Sequence, residues 1–165
     1  MPPPAHVRPL DLADAATAAA VHRIGRAAYG VEAELIGFDG IPALRESLAE
    51  LRARPLHWLG AMSAEGALAG FLAWAREPDG PVRGGPVRVD RLCVDPARFR
   101  RGVASLLLEH ALAGVFADRP VVVATGAANA PALRLYERLG FVRGADFSPV
   151  PGLRMASFSR AATGP

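Results

Sequence analysis

Residues 86–116 constrain the fold more than any other part of the chain. An apolar run typical of a β-strand, Val87 to Val94, ends at Asp95-Pro96, and Gly102 then opens an amphipathic helix. A β-branched run without polar alternation, Val121 to Ala124, follows the helix and is typical of a strand that is buried on both faces. Strand, helix and strand at this spacing predict a crossover unit.

The turn before this helix is a candidate anion-binding site. The first amides of a helix have no partner inside it, so they present N–H donors at the positive end of the helix dipole. Arg98, Arg100 and Arg101 lie beside them in the sequence. Gly102 has no β-carbon to keep a ligand away, and Ala104 leaves the next position nearly as bare. The turn therefore predicts a site for a pyrophosphate.

The rest of the chain gives a coarser pattern. We expect strands near 6–10, 56–62, 67–75, 141–142 and 153–158, and helices near 13–28, 41–53 and 130–139. Segment 29–40 is interrupted by three glycines and is interpreted as a loop or broken helix, and segment 76–86 is rich enough in Gly and Pro to be an exposed loop. No internal repeat stands out.

Two ordered blocks carry a resemblance to a known family. Residues 92–96 (LCVDP), followed by Gly102-Val103-Ala104, resemble the acyl-coenzyme A signature of the GNAT acetyltransferase superfamily, and residues 129–141 (NAPALRLYERLGF) resemble its second hallmark. The family pattern has Gln or Arg three residues before the first glycine, whereas this chain has Phe99 there. The resemblance implies an α/β (α+β) fold: a mixed, mostly antiparallel sheet of six or seven strands with helices on both faces.

The resemblance also implies a cofactor site for acetyl-CoA, released as coenzyme A. Two adjacent strands splay apart in the family, so that backbone groups of one strand end meet the pantetheine arm and the helix mouth holds the phosphates. A backbone donor near Val94 would stabilise the oxyanion. The candidate cofactor-binding residues are Leu92, Cys93, Val94, Arg100, Arg101, Gly102, Val103, Ala104, Ser105 and Asn129.

Several of these residues also have purely structural interpretations. The arginines taken singly are surface charges. Cys93 suggests a nucleophile, but a lone buried cysteine is more often a small core residue, and direct transfer from thioester to amine in the family needs no nucleophile. Asn129 stands where a helix N-cap is wanted, which alone would explain it, although the resemblance adds an amide bonded to the cofactor.

The candidate catalytic residues are Tyr136 and Asp90. The resemblance assigns Tyr136 as general acid, and a phenol remains protonated at neutral pH and can give a proton to a departing thiolate; the alternative is a core aromatic residue. Asp90 is the nearest candidate for the general base, but pairing with Arg88 or Arg91 is equally expected. Other candidates are His57 and an acidic rim formed by Glu32, Glu34 and Asp39.

Composition limits the remaining possibilities. The 165 residues fit one domain, 1–165, with 1–4 and 161–165 flexible. One cysteine excludes an internal disulfide, no residues have metal-ligand spacing, and a reducing cytoplasm fits. The start lacks a signal-peptide layout, and no apolar run could span a membrane. All nineteen basic residues are arginine but the net charge is only +3, which disfavours a nucleic-acid partner.

The sequence thus favours an acyl-coenzyme A dependent N-acyltransferase that acetylates a primary amine of a small molecule by direct attack in a ternary complex. One alternative is a protein N-terminal or lysine acetyltransferase, for which segment 29–40 would decide. Another is a module that binds acyl-coenzyme A without turnover. The edge strands of such a sheet also permit a homodimer.

Overall fold

The structure is a computed structural model that describes residues 6–77 and 85–162. The strands are β1 (His6–Pro9), β2 (His57–Met62), β3 (Leu68–Arg76), β4 (Val87–Val94), β5 (Val121–Gly126), β6 (Val142–Arg143), β7 (Phe147–Val150) and β8 (Leu153–Arg160). The helices are α1 (Ala15–Ile36), α2 (Leu48–Arg52), α3 (Val103–Ala113) and α4 (Ala130–Arg138). The expected flexible segment 1–4, the end of 161–165 and the centre of the 76–86 loop lie outside the described residues.

The strands form one mixed sheet in the order β1-β2-β3-β4-β5-β8-β6, with β7 also pairing with β8. Only β4 and β5 are parallel among the pairs within 6–77 and 85–162, and α3 makes the crossover between them. The prediction of a mostly antiparallel mixed sheet is confirmed. The described residues contain eight strands rather than six or seven, because the segment around Pro149 forms β7.

The sheet opens at its centre. Ala73 on β3 is opposite Arg91 and Trp74 is opposite Val89, so Asp90 is an extra residue in β4, a β-bulge. The parallel pairing of β4 with β5 covers three residue pairs and ends at Val89 with Val123. Beyond the bulge, β4 keeps its bonds to β3, but no other strand among residues 6–77 and 85–162 pairs with its second edge. The strands therefore diverge where the sequence expected them to splay.

Helices cover both faces, as predicted. On one face α3 and α4 pack over a core that includes Leu107, Val121 and Phe158. On the other, α1 and α2 pack over Phe71 and Cys93. The bulge changes which side chains face which core: Val89 faces α3, whereas Cys93 faces α1.

Helix α1 is longer than the sequence indicated. It runs through Gly25 and Gly30 and ends at Gly37, whose φ of 65° gives a left-handed C-cap. Gly25 is buried in the helix, and the Phe71 ring lies 3.4 Å from where a β-carbon would stand. Segment 29–40 is therefore mostly helical, and the second half of α1 crosses the gap between β4 and β5.

A buried ion pair ties β4 to the segment before α2. The Arg91 guanidinium donates to both carboxylate oxygens of Glu46, at 2.6 and 2.9 Å. These hydrogen bonds hold the pKa of Glu46 below its usual range. The predicted helix 41–53 is split here into a 3-10 turn at Pro42–Leu44 and the short α2, whose N-cap Ser47 forms a capping box with Glu50.

Candidate active site

The mouth of α3 is open. Gly102 is its N-cap with a φ of 74° and offers no side-chain cap to the first amides. A β-carbon built on Gly102 would meet no atom within 4 Å, so the space in front of the helix is free of protein. Arg100 also has a positive φ, 63°, which is uncommon for a residue other than glycine and concentrates at functional loops. This loop has the form of the anion cradle expected from the sequence.

The arginines around this mouth differ in their surroundings. Arg100 and Arg101 are exposed, whereas Arg98 is half-buried and interacts with Glu65 in the β2–β3 turn. Ser105 accepts a hydrogen bond from the Arg138 guanidinium of α4. Arg138 therefore adds a cation to the mouth of α3. Arg138 belongs to the second family-like block but was not among the sequence-based candidates, because nothing in the spacing shows that α4 ends beside α3.

The unpaired end of β4 carries the other expected cofactor residues. Leu92 and Val94 are half-buried and pack on the α3 side, with Ala104 of the helix beside them. Gly70 of β3 lets the chains approach closely here, because a β-carbon on it would lie 2.8 Å from the Cys93 carbonyl oxygen and 2.9 Å from Val103. The absence of a side chain at Gly70 thus lets β3 pack closely against both β4 and α3.

Cys93 is buried among side chains of the α1 face. Burial raises the pKa of its thiol to about 12. The hydrogen bond with Tyr29 opposes this rise in pKa, and the negative charge of Glu32 adds to it. The Tyr29 hydroxyl lies beside this thiol, and burial also raises the pKa of Tyr29 well above its usual range. At neutral pH the thiol is therefore protonated, which a nucleophile of acyl transfer would not be.

Tyr136 lies on α4 and is 4% exposed. Its ring packs on Phe141 and Phe158, with ring centres 5.5 and 5.4 Å away. Its hydroxyl makes no hydrogen bond within the described part of the chain. Every fully buried side-chain oxygen or nitrogen of the described residues has a hydrogen-bond partner, so the hydroxyl oxygen of Tyr136 is not fully enclosed. Burial raises its pKa, and Glu32 and Cys93 add to the effect. The phenol is therefore a protonated group at the gap.

Asn129 is the N-cap of α4. Its side-chain oxygen accepts from the Ala132 backbone N–H at 3.3 Å, and the backbone N–H of Asn129 donates to the Gly126 carbonyl at 2.9 Å. The capping role expected from the sequence is thus observed. The cofactor contact stays a prediction.

Asp90 is the bulge residue, and arginines hold both of its oxygens. Arg88 donates to one oxygen, and Arg91 donates to the other at 3.2 Å. The pairing that the sequence left as an alternative is therefore present. Both carboxylate oxygens are thus already engaged by guanidinium donors.

The remaining candidates for the general base lie in different parts of the structure. His57 stacks on Trp74 with ring centres 4.3 Å apart, at the end of the sheet away from the gap. Glu34 and Asp39 are exposed. Glu32 is half-buried on α1, and one of its oxygens accepts from the Thr125 hydroxyl at 3.4 Å and lies 3.5 Å from the Gly126 amide. Of the predicted acidic rim, Glu32 is the residue that reaches the end of β5.

Cavities adjoin the sheet at both of its ends within the described residues. A cavity of about 400 Å³ lies beyond the end of β5, lined by Ile36, Ala127, Ala128, Arg143, Asp146, Gly152, Leu153 and Arg154. A larger one, about 600 Å³, lies at the opposite end, around Pro9, His57 and Trp74. The smaller cavity adjoins the groups described above, so it is the candidate acceptor site. Size alone would have selected the wrong end of the sheet.

No three His, Cys, Asp or Glu side chains come together as a metal site within residues 6–77 and 85–162. In the same residues, none of the helices is both long and apolar enough to cross a bilayer.

Comparison with known proteins gives a consistent assignment. The model of the acetyltransferase (GNAT) family matches residues 20–141. The chain is 30% identical over 131 residues to UPF0157 protein YqkA of Bacillus subtilis (strain 168), covering 79% of this chain but 36% of that protein. This chain therefore spans about a third of the length of that relative.

Solved structures share the fold. The ribosomal-protein-S18-alanine N-acetyltransferase of Escherichia coli superposes with a TM-score of 0.72 at 18% identity, over 98% of this chain and 96% of that one. The yncA protein of Salmonella typhimurium, solved with its cofactor acetyl-CoA, gives 0.69 at 19% identity, over 95% and 93%. At these identities the likeness shows the fold alone.

The raised pKa of Cys93 predicts that alkaline pH destabilises the fold. Below pH 9, the usual pKa, both states keep the thiol proton; between 9 and about 12 only the unfolded chain loses it, which favours unfolding. In urea titrations between pH 9 and about 12, the free energy of unfolding should fall with pH more steeply for the unaltered protein than for Cys93→Ala. The difference in slope should be up to about 1.4 kcal/mol per pH unit. Equal slopes in the two proteins would show that the thiol is not buried in this way.

Proposed function

The chain belongs to the GNAT acetyltransferase family, as its two sequence blocks predicted, and we propose that it transfers an acetyl group from acetyl-CoA to a primary amine of a small molecule. Transfer is by direct attack within a ternary complex. The observation that carries this proposal is the gap between β4 and β5, with a protonated phenol on one side and an uncapped helix mouth at its end.

The residues present fit a coenzyme A thioester, which supplies the activated acetyl group. The amides that open α3 at Val103, Ala104 and Ser105 would hold the diphosphate, with Gly102 keeping the approach clear. Arg100, Arg101 and Arg138 would add positive charge around it. The free edge of β4 at Leu92, Cys93 and Val94 would bind the pantetheine arm through its backbone, with Asn129 at the mouth of the groove.

Tyr136 holds the proton that the departing sulfur needs. Its raised pKa keeps the phenol protonated across the physiological range, and its oxygen faces open space although the ring is fixed by Phe141 and Phe158. The protonated, buried thiol of Cys93 supports direct transfer rather than an acyl-enzyme. Asp90, the sequence-based candidate for the base, serves better as the anchor of the bulge because Arg88 and Arg91 occupy it.

The shape of the acceptor side favours a small molecule over a protein terminus or a lysine side chain. The candidate acceptor cavity holds about 400 Å³, which suits a small ligand. Helix α1 covers the end of β5, with Ile36 packed against Gly126, which narrows the approach to the gap from that side. The protonated phenol at the gap favours turnover over a module that only binds acyl-coenzyme A.

The setting of the protein is part of the same proposal. A free thiol at Cys93 fits the reducing cytoplasm. The modest net charge of +3 fits an enzyme whose partner is a small molecule rather than nucleic acid or a membrane surface. A homodimer through an edge strand stays a prediction that sedimentation can test.

The function is tested by binding and turnover together. Calorimetry should detect acetyl-CoA binding, and a broad amine screen that follows free-thiol release should find an acceptor. Absence of both binding and thiol release would reject the proposal, and binding without turnover of any amine would favour the non-catalytic module.

Tyr136→Phe should lower turnover by about 10²–10⁴-fold, because it removes the proton for the leaving sulfur while keeping the ring. The dissociation constant for acetyl-CoA should change less than about threefold. Tyr29→Phe is the matched control, since it removes the chain's other phenol, whose hydroxyl faces Cys93. Equal losses in the two variants would contradict an acid role for Tyr136.

Gly102→Ala should weaken acetyl-CoA binding by about tenfold or more, through the added methyl group and the strain of a left-handed alanine of about 1 kcal/mol. Gly37→Ala is the matched control, because Gly37 has a similar φ of 65° and equally open surroundings but ends α1 instead. Calorimetry on both variants checks the prediction. Unchanged affinity in Gly102→Ala would mean that the phosphates lie elsewhere.

A further inference from the structure

Glu32 differs from every other carboxylate of the described chain that is not fully exposed. The others each form an ion pair with an arginine: Glu46, Glu77, Asp90, Asp95 and Asp146. Glu32 has no such partner within residues 6–77 and 85–162, in a chain with nineteen basic residues. Glu32 is therefore the half-buried carboxylate of the described chain whose charge a cationic ligand could pair with.

The position of Glu32 is at the reaction centre of the proposed function. Its carboxylate meets the Thr125 hydroxyl and the Gly126 amide at the end of β5, where the gap from β4 is open. Its negative charge contributes to the raised pKa values of Tyr136 and Cys93, which places it near both walls of the gap. Tyr29, Cys93 and Tyr136 are the titratable groups around it.

Glu32 is also connected to the candidate acceptor cavity. Ile36 lies one helical turn after Glu32, on the same face of α1, and lines the cavity. A β-carbon on Gly126 would lie 2.6 Å from the Ile36 side chain, so both residues of α1 rest on the same point of β5. The next amide, that of Ala127, donates to the Arg154 carbonyl at 2.9 Å, and Arg154 lines the far side of the cavity.

The far side carries an excess of positive charge. Arg143 donates to both oxygens of Asp146 at 3.1 Å, and Arg154 donates to the same carboxylate at 3.1 Å. Two guanidiniums therefore share one carboxylate. The three groups together carry a net charge of +1, and the Arg154 side chain is 72% exposed, so a ligand can reach it beside its contact with Asp146.

We propose that the acceptor is a small zwitterion, whose ammonium group binds at Glu32 and whose carboxylate or phosphoryl group binds at Arg143 and Arg154. This inference rests on the proposed function and names its substrate class. Glu32 lies at the gap one helical turn before Ile36, which lines the cavity, and Arg143 and Arg154 share a single carboxylate in the cavity wall, so a molecule with an ammonium group and an anionic group would complement both. An uncharged amine would satisfy neither, and a simple cationic amine would satisfy one.

Glu32 then has a role in the reaction as well as in binding. It takes one proton from the ammonium group, which frees the nitrogen lone pair. The nitrogen–carbon bond forms and the carbon–sulfur bond breaks; Tyr136 gives its proton to the sulfur and regains one from the new amide nitrogen. The proton on Glu32 returns to solvent, so the products are the N-acetyl acceptor, coenzyme A as its thiol and one proton.

The substrate class is tested with matched acceptors on the intact protein. The panel contains amino carboxylates, aminoalkylphosphonates, and the same amines without the anionic group. Thiol release should be at least about tenfold faster, as kcat/KM, for one of the anionic sets than for the matched amines. The two anionic sets distinguish a carboxylate from a phosphoryl site.

The two ends of the site are tested by variants. Glu32→Gln should lower kcat by about 10²-fold or more, with partial recovery at high pH where the amine is already deprotonated. Glu34→Gln is its control, because Glu34 is exposed and lies two residues further along α1.

Arg154→Gln should raise the KM of the anionic acceptor about tenfold and leave the KM of the matched amine unchanged. Arg8→Gln on β1 is its control.

The results of these assays distinguish a failure of the zwitterion proposal from a failure of the proposed acetyl transfer. Equal use of anionic and plain amines, preference for plain amines, or full activity in Glu32→Gln would overturn the zwitterion proposal while leaving acetyl transfer intact. Failure of every amine in the panel and in the broader screen would reject the proposed function itself.

Discussion

The extra residue in β4 is the feature on which the rest of the site depends. A continuous ladder between β4 and β5 would consume the backbone groups of both strands and leave no room between them. The bulge at Asp90 ends the ladder after Val89 while β4 stays bonded to β3. It produces a gap inside an otherwise paired sheet, with the strand edge, the mouth of α3 and the phenol of α4 arranged around it.

Charge pairing stabilises this interruption on the α1 side. A chain of ion pairs joins the bulge to the sheet end and to the loop before α2, in the order Glu77, Arg88, Asp90, Arg91, Glu46 and Arg54. The Arg91–Glu46 pair is its buried part, with side chains 9% and 3% exposed. Losing one partner of such a pair costs about 3–5 kcal/mol, so the bulge is firmly held. Glu32 is left outside this chain, next to the gap, where a substrate can supply the missing charge.

The sequence predicted the parts of the fold whose signals are local. The strand ending at Asp95-Pro96, the glycine that opens α3, and the helix with Asn129 at its cap were all readable because turn chemistry and periodicity fix them within a few residues. The predicted helix 13–28 was shorter than α1 because the glycines at 30, 37 and 40 were interpreted as interruptions. One glycine inside a helix costs only about 1 kcal/mol, so α1 continues through Gly30 and ends at Gly37, which has a φ of 65°.

The candidate site was predictable only in part for the same reason. Residues on the β4–α3 segment follow from a motif, whereas Arg138 and Glu32 reach the site from helices whose approach depends on packing. Asp90 was chosen for its place on the strand, and the bulge that turns it to Arg88 and Arg91 has no sequence signal of its own. The acceptor cavity requires α1, the end of β5 and the β7–β8 hairpin to meet, which no local pattern contains.

The central claim is that the opened edge of β4 and the mouth of α3 together bind a coenzyme A thioester. Hydrogen–deuterium exchange with and without acetyl-CoA tests it most directly, because it reports which amides become protected. The account predicts slower exchange at residues 92–94 and 102–106, with the cavity around Pro9 and His57 unchanged. Protection confined to that opposite end, or none at all with the ligand bound, would contradict it.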